Sequence, residues 1–204
     1  MGIQDREHLE VGSAKELTAW LKKNYDKSPG LWVVTHKKAS TKPAPTYDEV
    51  VRALLCYGWV DSISGKVDEM RSKLYCAPRK ASSAWSQSNK IRVAELIASG
   101  EMKEPGLQKI NAAKASGMWT RIDGAQIAEI PPDLSAEFKK HKGSRENFEA
   151  FPNGVKKQIL EWIATAKAEP TRQKRIHETA TLAQQNIRAN QWRDKHPRSL
   201  NQVH

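Results

Sequence analysis

The chain has 204 residues, 38% of them hydrophobic and 28% charged, enough for one buried core or one domain with an appended module. Its 34 lysines and arginines against 23 aspartates and glutamates leave a net charge of +11, which favours phosphates, nucleic acid or acidic surfaces as partners. No apolar run approaches the roughly 20 residues of a membrane-spanning helix, residues 1–10 lack the apolar segment of a secretory leader, and two cysteines, Cys56 and Cys76, cannot form a disulfide scaffold; a reducing, cytoplasmic location is expected.

In chain order, Ser13 and Glu16 read as a capping box, with Leu17, Trp20 and Leu21 on one face of a helix ending near Asn24 to Gly30. Leu31 to His36 reads as a short buried strand after a Pro-Gly turn, and Lys37 to Pro45 as a loop. Thr46 and Glu49 form a second capping box, ahead of an apolar stripe of Val50, Ala53, Leu54 and Tyr57 that stops at Gly58. Trp59 to Ile63 and Lys66 to about Ala77 suit extended chain, with Ser64-Gly65 as the turn of a two- or three-stranded antiparallel element. After Trp85, Ile91, Val93, Ala94, Leu96 and Ile97 supply the apolar positions of a helix closed by Gly100. Pro105 opens the next, which runs through Leu107 and Ile110 to Gly117.

Ile130-Pro131-Pro132 reads as a joint, because proline disfavours helix in the residue before it. Beyond it, Leu134 and Phe138, then Phe148 and Phe151, then Ile159, Trp162, Ile163 and Ala166 behind an Asn153 cap, all recur at helical spacing. Pro170 starts a last helix with the stripe Ile176, Ala180, Ala183 and Ile187. The expected fold class is therefore α+β. A helix-rich N-terminal module with a small antiparallel β element occupies residues 1–129, an all-helical C-terminal module 130–189, and a basic, disordered tail 190–204.

Four constellations carry chemistry. Between Arg71 and Arg92 lie six cations and no acid, with Tyr75 and Trp85 interleaved: either a phosphate- and base-binding surface or a solvated face with Trp85 in the core. Ala81 to Asn89 packs four serines and an asparagine around Trp85 ahead of a helix, which suits an anion site or plain N-capping by Ser86 or Ser88. Cys56, Trp59 and Asp61 follow in L-L-C-Y-G-W-V-D: Trp59 and Asp61 share a strand face, Asp61 could pair with Arg79 or orient a ligand, and Cys56 has no adjacent base to activate it. Arg172, Lys174 and Arg175 crowd the start of the final helix, where the dipole opposes them, so their partners should lie elsewhere, on carboxylates or an anionic ligand. The six histidines are scattered with no pair at metal-ligand spacing, and nucleotide-loop, zinc-protease and serine-hydrolase motifs are missing. No catalytic set, metal or cofactor is expected.

The ordered segments A-L-L-C-Y-G-W-V-D (Ala53 to Asp61), A-P-R-K-A-S-S-A-W-S-Q-S-N (Ala77 to Asn89), R-V-A-E-L-I-A-S-G-E-M (Arg92 to Met102), A-A-K-A-S-G-M-W (Ala112 to Trp119) and the basic run Lys167 to Ile176 resemble the bacteriocin-protection, YdeI/OmpD-associated proteins, over roughly Leu17 to Leu182. The resemblance implies a part in resistance to cationic antimicrobial peptides, and a helical C-terminal domain after the proline joint. Lys80 stands where the family carries an arginine, and Pro170 splits its E-T-R run. Joined to the residue reading, this predicts a resistance factor that binds an anionic small ligand or a protein partner in a polar-aromatic pocket. Trp59, Asp61, Arg79, Trp85, Ser86 and Asn89 line it, and Arg172 and Arg175 close it from the helical module. Nucleic-acid binding through Arg71 to Arg92 is the alternative, and an enzyme using Asp61 or Cys56 a more distant one.

Overall fold

A computed structural model describes residues 2–191, so all but the first two positions of the expected tail lie outside the described residues. The architecture is α+β, with a small mixed sheet in the N-terminal half and helices in the C-terminal half. The chain divides into two compact units, residues 1–120 and 121–204. Among the described residues no helix is long and apolar enough to cross a membrane.

The first unit holds strands β1 (His8–Glu10), β2 (Leu31–His36), β3 (Trp59–Lys66) and β4 (Arg71–Pro78), and helices α1 (Ala14–Asn24), α2 (Tyr47–Cys56), α3 (Gln87–Ala98) and α4 (Glu104–Ala115). The sheet order is β1-β2-β4-β3. β1 runs parallel to β2, whereas β2 with β4 and β4 with β3 are antiparallel. The sequence reading lacked β1, whose three half-exposed or exposed residues carry no usable alternation. It also misplaced the hairpin: Ser64 and Gly65 pair with Leu74 and Lys73 inside the ladder. The chain reverses instead at residues 67–70, where the Asp68 carboxylate accepts from the Met70 and Arg71 amides at 2.9 and 2.7 Å, an Asx-type turn. One extra residue in β3 between Asp61 and Ser64 makes a bulge.

Period two separates the faces of β2. Leu31 and Val33, with Cys76 opposite on β4, enter a core shared with Leu17 and Leu21 of α1, Val50, Leu54 and Leu55 of α2, Val93 and Leu96 of α3, and Ile110 of α4. Trp32 and its cross-strand partner Tyr75 occupy the other face, rings 5.3 Å apart. The Trp32 indole donates to the Ile3 carbonyl at 3.0 Å, so the N-terminal segment covers that face and β2 is buried on both sides.

In this unit the helix caps are where the sequence placed them. Ser13 accepts from the Glu16 amide, Thr46 and Glu49 make a reciprocal box, and Ser86 caps α3. Gly58 has a φ of +71°, and a Cβ there would lie 2.9 Å from the Pro105 carbonyl, so glycine is required both by conformation and by the close approach of α4. On α3 only Val93 and Leu96 are buried; Ile91 and Ile97, read as core, are exposed.

The second unit contains α5 (Asp123–Gln126), α6 (Pro132–Phe138), α7 (Ser144–Ala150), α8 (Asn153–Ala164) and α9 (Glu169–Gln184). α6, α7 and α8 each pack on α9. Its core joins Leu134, Phe138, Phe148, Ile159, Leu160, Ile163 and Ile176, and the small, fully buried Ala180 and Ala183 let α9 approach closely. Three expectations needed correction. Asn153 is the first helical residue and Pro152 the uncapped flank, because proline already presets the entry backbone. Ile187 lies beyond α9 and is partly exposed, since the helix stops at Gln184. Trp162 is only half-buried, its ring covered by the Arg175 guanidinium 5.0 Å away.

Candidate functional site

The centre of interest in the first unit is a cation–aromatic stack at the end of β4. Arg79 follows Pro78, and its amide donates to the Gly58 carbonyl at 2.9 Å, which carries the ladder one residue past the strand. The side chain then turns into the loop that leads to α3. Nη1 donates to the Ala84 carbonyl at 2.9 Å, and the guanidinium carbon lies 3.8 Å from the centroid of the Trp85 ring. Trp85 continues the stack to Trp119, 5.0 Å away, and Trp119 is approached by the ammonium groups of Lys90 and Lys114 at 5.4 and 5.3 Å.

Burial gives this stack its character. Arg79 is 3% exposed and Trp85 1% exposed, yet Nε of Arg79 and Nε1 of Trp85 have no hydrogen-bond partner. Most buried donors are paired, and an orphaned one costs about 1–3 kcal/mol. Burial also lowers the Arg79 pKa to about 10 against the opposing pull of the Asp61 carboxylate.

The structure distributes the remaining sequence candidates over distinct roles. Trp59 is fully buried, donates its indole N–H to the Tyr25 carbonyl at 3.0 Å, and meets Trp20 edge-on at 5.8 Å, so it anchors the core. Asp61 accepts from the Tyr47 hydroxyl at 2.8 Å, and the Tyr47 pKa is pushed up to about 12 by burial and by that bond. Tyr47 also borders a cleft of about 270 Å³ under α2, walled by Val33, Val50, Ser64, Ser72 and Leu74. The Ser86 hydroxyl accepts from the Asn89 backbone amide at 3.4 Å, and the Asn89 side-chain oxygen Oδ1 accepts from Arg92 at 3.4 Å. Arg79, Trp85 and the Asp61 field thus converge, whereas Trp59 does not join them. Trp119 does, and the sequence reading had quoted it in a motif without assigning it a role. An aromatic just after the Gly117 break is the signal that could have marked it.

Arg172 and Arg175 belong to the second unit and are held within it. Arg172 makes a bidentate pair with Asp133, Nε at 2.7 Å and Nη2 at 3.0 Å. Arg175 donates to the Trp162 carbonyl and covers its ring. The basic stretch of the first unit is likewise largely engaged: Arg71 by Asp68 and Glu10, Arg92 by Asp48, and Lys73 over the Trp32 ring at 4.4 Å.

Cys56 and Cys76 are both free and buried, and burial raises both thiols above the ordinary range, Cys76 the further. Such thiols are protonated and unreactive at neutral pH. In the native protein a colorimetric disulfide reagent should therefore modify them far more slowly than a free cysteine, with two thiols released on unfolding in urea. Rapid native modification of Cys56 would reveal an activated thiol.

Comparison with known proteins gives two family matches. Residues 9–109 match the family described as Domain of unknown function (DUF8412), and residues 128–186 match Bacteriocin-protection, YdeI or OmpD-Associated. Neither a curated protein nor a solved structure matches the chain. The second match spans α6 to α9 and the Asp133–Arg172 pair that ties them. The likeness to the bacteriocin-protection, YdeI or OmpD-associated family is thus confined to residues 128–186, within the second unit.

Proposed function

We propose that this protein is a resistance-associated binding protein of the bacteriocin-protection type, whose first unit holds a small anionic ligand at the Arg79–Trp85–Trp119 stack. The observation that carries the reading is the pair of buried, unpartnered N–H donors on Arg79 and Trp85, placed against one another by a 3.8 Å stacking contact. A phosphate or carboxylate oxygen would accept from both, and the low-dielectric surroundings strengthen such a bond. Lys80 and Ser82, in the segment between Arg79 and Trp85, are exposed, and displacement of that segment would open a route for a ligand. A net charge of +11 opposes direct capture of cationic peptides, which makes the resistance role an indirect one. The cytoplasm is the compartment that suits its two unpaired thiols.

Nucleic-acid binding through Arg71 to Arg92 receives less support, because carboxylates already neutralise Arg71 and Arg92. One titration of tryptophan fluorescence with inorganic phosphate, a short phosphomonoester and a short oligonucleotide, at about 50 and 200 mM salt, separates the readings. Saturable quenching by the small anions, weakly dependent on salt and lost in Arg79→Met, is the expected result. Quenching by the oligonucleotide alone with a steep salt slope would favour nucleic acid instead. A phosphate response that survives Arg79→Met would remove the stack from the site.

A further inference from the structure

The second unit brings together three side chains that the sequence keeps apart. Glu137 lies near the end of α6, His141 one turn further along the chain, and His177 on α9, which packs against α6. Glu137 Oε1 stands 2.9 Å from His177 Nδ1 and 3.4 Å from His141 Nε2. The two imidazoles meet edge to face, 5.4 Å between centroids, and one ligand atom from each of the three residues falls within 4.8 Å of the others.

The two oxygen–nitrogen separations are close to what a first-row divalent ion imposes. With metal–nitrogen and metal–oxygen bonds of about 2.0–2.1 Å in a tetrahedron, neighbouring donors sit roughly 3.3–3.5 Å apart. The two oxygen–nitrogen edges need only a few tenths of an ångström of adjustment. The surrounding groups also prepare the donors. Gln184 Oε1 lies 3.4 Å from His141 Nδ1, and a ring proton placed there would leave the Nε2 lone pair to coordinate. Lys140 takes the other carboxylate oxygen, Oε2, at 2.7 Å and so orients Oε1 toward the imidazoles.

Exposure divides the three donors. The Glu137 and His141 side chains are 14% and 16% exposed, while His177 is 66% exposed. Two ligands are thus anchored and the third faces solvent, leaving coordination positions for water or a ligand atom. Among common ions, two imidazoles and one carboxylate without a thiolate suit Zn²⁺.

We propose that Glu137, His141 and His177 form a Zn²⁺ site on the helical unit, with Gln184 and Lys140 positioning two of its ligands. The inference is independent of the Arg79–Trp85 reading.

Co²⁺ serves as the spectroscopic probe, added to the untagged full-length protein and then displaced by Zn²⁺. The expected result is a d–d absorption that saturates at one equivalent and disappears on addition of Zn²⁺. His177→Ala, at a mostly exposed position, should keep the fold by circular dichroism and lose this signal, and Gln184→Ala should weaken binding about ten-fold. His196 and His204 lie outside the described residues. The double variant His196→Ala, His204→Ala is therefore the control, and it should bind as the unaltered chain does. No saturable signal, or a signal lost in the control and kept in His177→Ala, would overturn the site and leave the cluster as an ion-pair network centred on Glu137.

Discussion

Replacing Trp85 with alanine should lower the unfolding free energy by about 3–5 kcal/mol, the range for a fully buried large aromatic. That is a sizeable part of the 5–15 kcal/mol typical of a folded protein. Trp85 is 1% exposed and packs against both the Arg79 guanidinium and Trp119, so truncation removes both contacts. Arg79→Met should behave differently, changing stability by no more than about 1 kcal/mol. The methionine keeps most of the apolar contact with Trp85 and abolishes a buried cation whose Nε has no partner. The Ala84 carbonyl loses its donor in exchange. Urea unfolding of both variants gives the test. If Arg79→Met proved the more damaging, the guanidinium would be a structural pin of the loop at residues 79–84, and binding would have to be sought elsewhere.

The second large effect is expected at Gly106, in the first turn of α4. A Cβ there would lie 2.6 and 2.7 Å from the Leu55 and Cys56 carbonyl oxygens and 2.6 Å from the Met102 sulfur. The two carbonyls belong to the end of α2 and cannot step aside as a flexible side chain could. Alanine normally favours a helix over glycine by about 0.8–1.0 kcal/mol. Overpacking of about 1–3 kcal/mol should outweigh that preference and leave Gly106→Ala the less stable protein. Gly154→Ala in α8 is the companion measurement, since its Cβ would meet nothing within 4 Å. It should be neutral or slightly stabilising. Equal thermal midpoints for the two variants would mean that α4 shifts away from α2 without penalty.

Several elements were readable from the residues because their signals are local. Ser13, Thr46 and Ser86 cap the helices that the sequence assigned to them, since a cap depends on residues three apart in the chain. The YdeI/OmpD-associated segment was legible for a related reason: ordered local motifs survive in the sequence, and the match at residues 128–186 covers the basic run from Lys167 to Ile176. The earlier motifs, Ala53 to Asp61, Ala77 to Asn89 and Arg92 to Met102, lie instead in the region matching the domain of unknown function, and Ala112 to Trp119 lies in neither match.

What depended on partners distant in the chain was not legible. β1 exists because His8, Leu9 and Glu10 find Trp32, Val33 and Val34 beside them, and nothing in three residues announces a parallel neighbour. Trp59 and Trp85 look alike as candidates and both enter the core, but one indole finds the Tyr25 carbonyl while the other keeps an unpartnered N–H and stacks on Arg79. Scattered histidines gave no metal spacing, yet the packing of α6 on α9 sets His177 beside Glu137 across forty positions of chain.

The sequence by itself determined the α+β class, most helix starts, the net charge of +11 and the family resemblance that residues 128–186 match, because composition, caps and motifs act over a few residues. Only the tertiary structure decided which cations are neutralised, which tryptophans are core and which donors lack partners. Burial and pairing are set by groups that meet through space, and a one-dimensional pattern carries no record of those meetings.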